Sequence, residues 1–200
     1  MTDPSVYINF PRDILEPCLE NLADLFLLME AAYAEVAARY GFQCAGCEDN
    51  CCLTRFYHHT LLEYLYLYKG YSKLSEKERM RLRQRAVRVN REIEQADTLG
   101  EQVRVMCPLN EKGLCGRYQY RPMICRLHGI PNEMKRPGGV PVRGPGCGDF
   151  DRQCGSRQYI PFDRTPFYME MAVNEKKIRG KLGFTEKIKM TVARMIVSFH

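Results

Sequence analysis

Cys44, Cys47, Cys51 and Cys52 stand within nine residues, and nine of the chain's ten cysteines fall between Cys44 and Cys154. Thiolates are the natural ligands of zinc and of iron–sulfur clusters, and this Cys-x2-Cys-x3-Cys-Cys run gathers soft sulfurs at small loop-closure cost. A second stretch carries Cys107-Pro108 and Cys115, then Arg121-Pro-Met-Ile-Cys125-Arg126-Leu-His128. Two residues between cysteines allow a turn that aims both sulfurs at one metal. Adjacent Cys51 and Cys52 tend to point apart, so one of them serves a second site or the core. The second block has wider gaps, which resemble the scattered cysteines of cluster proteins more than the paired Cys-x2-Cys units of zinc knuckles. Zinc and iron both fit. His128, three residues beyond Cys125, and Cys154 are further candidates, whereas Cys18 reads as a small core hydrophobe. Arg121 and Arg126 flank Cys125, where a guanidinium favours a thiolate or an anionic cluster.

The elements that must position these residues are helical. From Asp13 to Tyr40 the residues Leu15, Leu19, Leu22, Phe26, Met29, Tyr33 and Val36 recur at steps of three and four, one face of a helix that Gly41 stops. Asp13 is a candidate N-cap, and Pro17 moves the expected start toward Glu16. Thr60 caps a short helix ended by Gly70, and Ser75 with Glu78 forms a capping box for a helix running to about Asp97. Arg79, Arg81, Arg83, Arg85, Arg88 and Arg91 lie on that last helix and, at 100° per residue, are expected to spread around it as a solvated surface. Between Glu101 and Asp163 glycine, proline and cysteine replace helical periodicity. Pro122 is placed at the first turn of a short helix, which fixes the direction of Cys125. Thr165-Pro166 opens another helix closed by Gly183. Thr185 is expected to cap a last one with Ile188, Val192, Met195, Ile196 and Phe199 on its apolar face, both packing on the first helix.

The expected fold is therefore mainly α: helices packed around an irregular, cysteine-rich, metal-stabilised loop region. Its 200 residues, 45% of them hydrophobic, form one domain, 1–200. The helical frame is assigned to 13–41, 60–97 and 165–199, and the cysteine region to 43–59 and 101–163. The start lacks the basic and apolar regions of a signal peptide and no apolar run is long enough to span a bilayer, so a cytoplasmic location and no membrane partner are expected. Cytosolic thiols stay reduced, which favours metal over a disulfide framework.

Together the two cysteine stretches resemble the CxxCxxCC, or YkgJ-type, family of zinc- or iron-chelating cysteine-cluster proteins. The second block of that family reads roughly Cys-Pro-x(n)-Cys-x-x-Tyr-x-x-Arg-Pro-x-x-Cys-Arg. Here Cys107, Pro108, Cys115, Tyr118, Arg121, Pro122, Cys125 and Arg126 supply it. The likeness covers about half of the chain, and the first block departs by one extra residue between Cys47 and Cys51. The resemblance implies about eight metal ligands, which map onto Cys44, Cys47, Cys51, Cys52, Cys107, Cys115, Cys125 and Cys147. Eight thiolates permit two four-sulfur sites, or one site with the rest structural or reactive.

These residues support a metal-binding module that holds iron, as an iron–sulfur cluster, or zinc. A second reading is an S-adenosylmethionine-dependent protein-modifying enzyme, because the family resembles the cysteine-rich part of flagellin lysine N-methylase. Against it, the Cys-x2-Cys-x3-Cys order reverses the radical S-adenosylmethionine motif, and no Gly-rich strand-to-helix loop suggests a methyltransferase site. A third reading is an adaptor that binds RNA or an acidic partner through the arginine-rich helix. The formal charge of +6 is modest and no aromatic residues interleave the arginines, which argues against nucleic acid. No Ser-His-Asp arrangement, His-Glu-x-x-His motif or phosphate loop is present.

Overall fold

A computed structural model describes residues 4–44, 51–135 and 138–199. Seven α-helices dominate them: α1 (Arg12–Tyr40), α2 (Leu61–Ser72), α3 (Glu76–Leu99), α4 (Met123–Leu127), α5 (Gly148–Cys154), α6 (Thr165–Leu182) and α7 (Val192–Ser198). The strands form two antiparallel hairpins: β1 (Asn110–Glu111) with β2 (Leu114–Cys115), and β3 (Asn132–Lys135) with β4 (Pro141–Gly144). No described helix is long and apolar enough to cross a membrane.

Helix α2 is the centre of the molecule. Leu61, Leu62, Tyr64, Leu65, Tyr66, Leu67 and Tyr71 are all buried, so it is covered on every side, as a helix apolar all round must be. It contacts α1, α6, α7 and the 3₁₀ turn Tyr118–Tyr120. Its N-terminal amides, orphaned by helix geometry, are satisfied from α6: Leu61 and Leu62 N–H donate to the Glu175 carboxylate at 2.7 and 2.9 Å. Gly70 does not end this helix, contrary to expectation. It lies inside α2, where any Cβ would collide with the ring of Tyr120, and is needed for that close approach.

The capping box of Ser75 and Glu78 starts α3, and Gly100, in the left-handed region at φ 69°, ends it. Leu82, Ala86, Val89 and Ala96 form its only buried stripe, which packs mainly on α7. Helix α1 begins at Arg12 and carries Pro17 inside it instead of starting beyond it. The carbonyl that Pro17 leaves unbonded belongs to Asp13 in the first turn, while Leu15, Cys18 and Leu19 around it are buried. The last helix starts at Val192 with Thr191 as its cap, not at Thr185. Residues before it run extended, because His58 and Met190 exchange backbone hydrogen bonds of 2.8 and 3.0 Å. As expected, α6 packs on α1, and Ile188, Val192, Met195, Ile196 and Phe199 are all buried; α7, however, rests chiefly on α3.

Candidate metal centre

The cysteine segments lie against the frame and are held by side chains reaching from helices to loop backbone. Helix α4, which bears Cys125, is fixed at both ends. The fully buried Glu63 of α2 accepts Met123 N–H at 2.8 Å, and the buried Arg164 donates to the Leu127 carbonyl. Burial pushes the Glu63 carboxyl up, against the lowering effect of Thr60 and Met123 donors. Arg126, only 4% exposed, stacks 4.0 Å from the Phe26 ring and bonds the carbonyls of Arg121, at 2.9 Å, and Gln119, together with the Glu30 carboxylate. It thereby closes the Tyr118–Arg126 loop onto α1, and burial lowers its pKa. Cys107 N–H donates to the Cys52 carbonyl at 2.8 Å, and Cys147 N–H to that of Gly129 at 2.8 Å, so each cysteine segment is tied to another.

Seven of the eight expected ligands lie among the described residues, and all seven line two adjoining cavities. Cys47 falls outside the described residues. The first cavity, about 70 Å³ and mostly apolar, is walled by Cys51, Cys52, Cys107, Cys115 and Cys125, with Phe56, His58 and Val105. The second is lined by Cys44, Cys51, Cys125 and Cys147, with Tyr33 and His128. Cys51, Cys125 and Arg121 border both.

Within the first cavity, thiol hydrogen bonds from Cys107 and then Cys51 push the Cys52 pKa below the ordinary thiol range. The same bonds push Cys107 and Cys51 up, while burial pushes up Cys115 and Cys125. Arg121 acts on four of these cysteines: its charge favours the thiolates of Cys44, Cys52, Cys115 and Cys125. It stacks 3.7 Å from the Tyr118 ring, and its Nε is buried without a hydrogen-bond partner. Tyr33 Oη is likewise buried and unpartnered, in the wall of the second cavity, while the Asn110 side chain bonds Cys52. Buried donors of this kind are costly in isolation and suit an anionic thiolate centre.

The donor set and its orphaned polar atoms thus fit a thiophilic metal in chemical kind. Among the described residues, no group of three or more His, Cys, Asp or Glu side chains is arranged so that it could hold a metal ion as it stands. Cys154 is no part of the centre: it is buried, and its Sγ donates to the Tyr40 carbonyl at 3.4 Å. Cys18 is buried in the core. His128 lines the second cavity and packs edge-on to Phe56 at 5.3 Å.

Sequence reasoning passed over Glu30, Tyr33, Glu63 and Asn110. Glu30 is a polar residue beside the apolar face of α1 and carries a weak signal, and Tyr33 reads as part of that apolar face. Glu63 and Asn110 carry none, since Met123 and Cys52, which they bond at the centre, lie far along the chain. Gly129, at φ 128°, is also part of the wall, where a Cβ would strike the Tyr33 hydroxyl. Comparison of the chain with family models, with curated proteins and with solved structures finds no match. The likeness to the CxxCxxCC family rests on its motif residues alone.

Proposed function

We propose that this protein is a cysteine-cluster metal-binding protein of the CxxCxxCC type, holding iron as an iron–sulfur cluster, or zinc. The observation that carries the reading is the gathering of seven cysteines from four separate segments around two cavities that share Cys51, Cys125 and Arg121. A tetrahedral site with metal–sulfur bonds of about 2.3 Å separates its sulfurs by about 3.8 Å. That spacing is close to a thiol–thiolate hydrogen bond, the contact that joins Cys51, Cys52 and Cys107. A cation that displaced the shared protons would be ligated by these sulfurs. Cys52, Cys107 and Cys115 belong to one cavity alone, Cys44 and Cys147 to the other, and this division supports two sites or one site with an adjoining thiol pair. When bound, the metal would neutralise the thiolates, cross-link the loop region to the helices and, as an iron–sulfur cluster, carry electrons. Arg121 and Tyr33 would direct their unpartnered donors at its sulfurs, and Asn110 would keep its bond to Cys52.

The S-adenosylmethionine reading gains nothing from the architecture. Among the described residues every sheet is a two-stranded antiparallel hairpin, which offers no parallel sheet for a nucleotide site.

The deciding experiment is metal and acid-labile sulfide analysis of protein purified without oxygen, on the parent chain and Cys125→Ser. Iron with equimolar sulfide and a brown colour is the expected result for a cluster, and stoichiometric zinc without sulfide for the alternative metal. In either case Cys125→Ser is expected to lose most of the metal and to melt at lower temperature. A metal-free parent, or a variant with unchanged metal and melting, refutes the reading.

A further inference from the structure

On the outer side of the β1–β2 hairpin a groove runs between it and α3. One wall is Arg81, Arg85 and Arg88, at positions i, i+4 and i+7 of the helix, and the other includes Lys112 and Arg117. The arginines of α3 do not all lie on one side, and three of them line this groove. Arg83 faces away and donates to the Phe199 carbonyl behind α7, which leaves three arginines aligned along the opposite edge. The groove holds these five cations against two carboxylates, Glu78 and Glu111, an excess of three positive charges. Both carboxylates are engaged, Glu78 in the capping box of α3 and Glu111 with Arg85 at 3.0 Å. Among the described residues, Arg81, Lys112 and Arg117 have no carboxylate within ion-pair distance, and the Nε of Arg85 is buried without a partner.

The hairpin tip adds an independent observation. Lys112 and Gly113 form a two-residue loop with φ of 52° and 88°. A tight hairpin needs positive φ at both positions and normally takes Asn or Gly there. A lysine accepts this backbone at some cost, and its result is a cation on the lip of the groove.

We propose that this groove docks an extended acidic segment of a partner protein. Leu82 and Leu109 are buried beneath it and Leu114, 67% exposed, stands on its rim, so the occupant has apolar residues among its carboxylates. Single-stranded nucleic acid binds through aromatic platforms as well as cations, and no aromatic side chain lines this groove. A second copy of the chain, at formal charge +6, lacks the complementary sign. The inference goes beyond the metal reading and does not require it, because the walls are α3 and a hairpin closed by protein hydrogen bonds.

The test is fluorescence anisotropy of the full chain, as isolated, with a labelled peptide of about twelve residues repeating Glu-Glu-Leu. Saturable binding that weakens with added salt is expected. The triple variant Arg81→Glu, Arg88→Glu, Lys112→Glu should lower the affinity about tenfold or more, with melting and metal content unchanged, while Lys177→Glu on α6 has no effect. Absence of saturable binding overturns the proposal, as does equal binding by the triple variant or by a Lys-Lys-Leu repeat. An oligouridylate of similar length that binds more tightly than the acidic peptide, and is lost in the triple variant, would reassign the groove to RNA.

Discussion

Truncation of Arg126 tests whether the cysteine loops are held by the helical frame. Arg126→Ala removes bonds to the Arg121 and Gln119 carbonyls, the pair with Glu30 and the stack on Phe26, all made by a buried side chain. Each hydrogen bond to a charged group is worth about 1.5–3 kcal/mol net, but the three share one guanidinium and do not add. Glu30, 32% exposed and 3.7 Å from Arg121, is not left as a buried unpaired charge, so the expected loss is about 3 kcal/mol, at the low end for breaking a buried pair from one side. For a chain of this size that corresponds to a fall in melting temperature of about 6–12 °C. Arg126→Lys should lie between parent and alanine, because one ammonium cannot reach Glu30 and both carbonyls. Urea unfolding followed by circular dichroism measures these losses, and a double-mutant cycle with Glu30→Gln is expected to return a coupling of about 1–3 kcal/mol. The reasoning fails if Arg126→Ala stays within about 1 kcal/mol of the parent, or if the cycle closes with no coupling.

Gly70→Ala should destabilise by about 1–3 kcal/mol, because its Cβ meets the Tyr120 ring, and Tyr120→Ala in the same chain should relieve part of that cost; chemical unfolding of the two single variants and the double variant checks it. His58 supplies a pH dependence. Burial, and then the charge of His59, push its pKa from 6.5 down to about 4. Between these values the unfolded chain takes up a proton that the folded one refuses, so this contribution is complete above pH 6.5 and is lost as pH falls, by about 3 kcal/mol at pH 4. Subtracting the unfolding free energies of His58→Phe from those of the parent across pH 4–7 isolates it; a flat difference refutes the assignment.

Local chemistry made most of the frame legible. Ser75 with Glu78, and the stops at Gly41 and Gly183, satisfy helix ends with residues only a few positions away. Readings failed where the deciding partner is remote. Gly70 resembles a helix stop until Tyr120 is seen above it, and Thr185 resembles a cap until Met190 is seen pairing with His58. Arg81, Arg85 and Arg88 share one edge of α3 by their spacing alone, and what the spacing omits is the hairpin that makes a groove of that edge. At the candidate centre, cysteine spacing located the sulfurs but not their division between two cavities. That division depends on α4 presenting Cys125 to both and on Gly129 bringing Cys147 under Tyr33.

The loop region carries many backbone groups and few ladders to satisfy them, which is why polar side chains of the frame are directed into it. Glu63, Arg126 and Arg164 bond backbone atoms on either side of Cys125, and Ile160 N–H donates to the Tyr40 hydroxyl at 2.6 Å. Gln153 and Gln43 exchange two bonds of 3.1 Å, which ties α5 to the segment entering Cys44. Small zinc modules lack such bonds and obtain their fold from metal binding itself. Here the segments bearing Cys107, Cys115, Cys125 and Cys147 are already fixed by protein contacts, so little ordering entropy remains to oppose ligation. For the proposed metal the same contacts would limit how far these sulfurs can move, and would favour an ion whose ligand spacing suits them over one that requires the loops to be rebuilt.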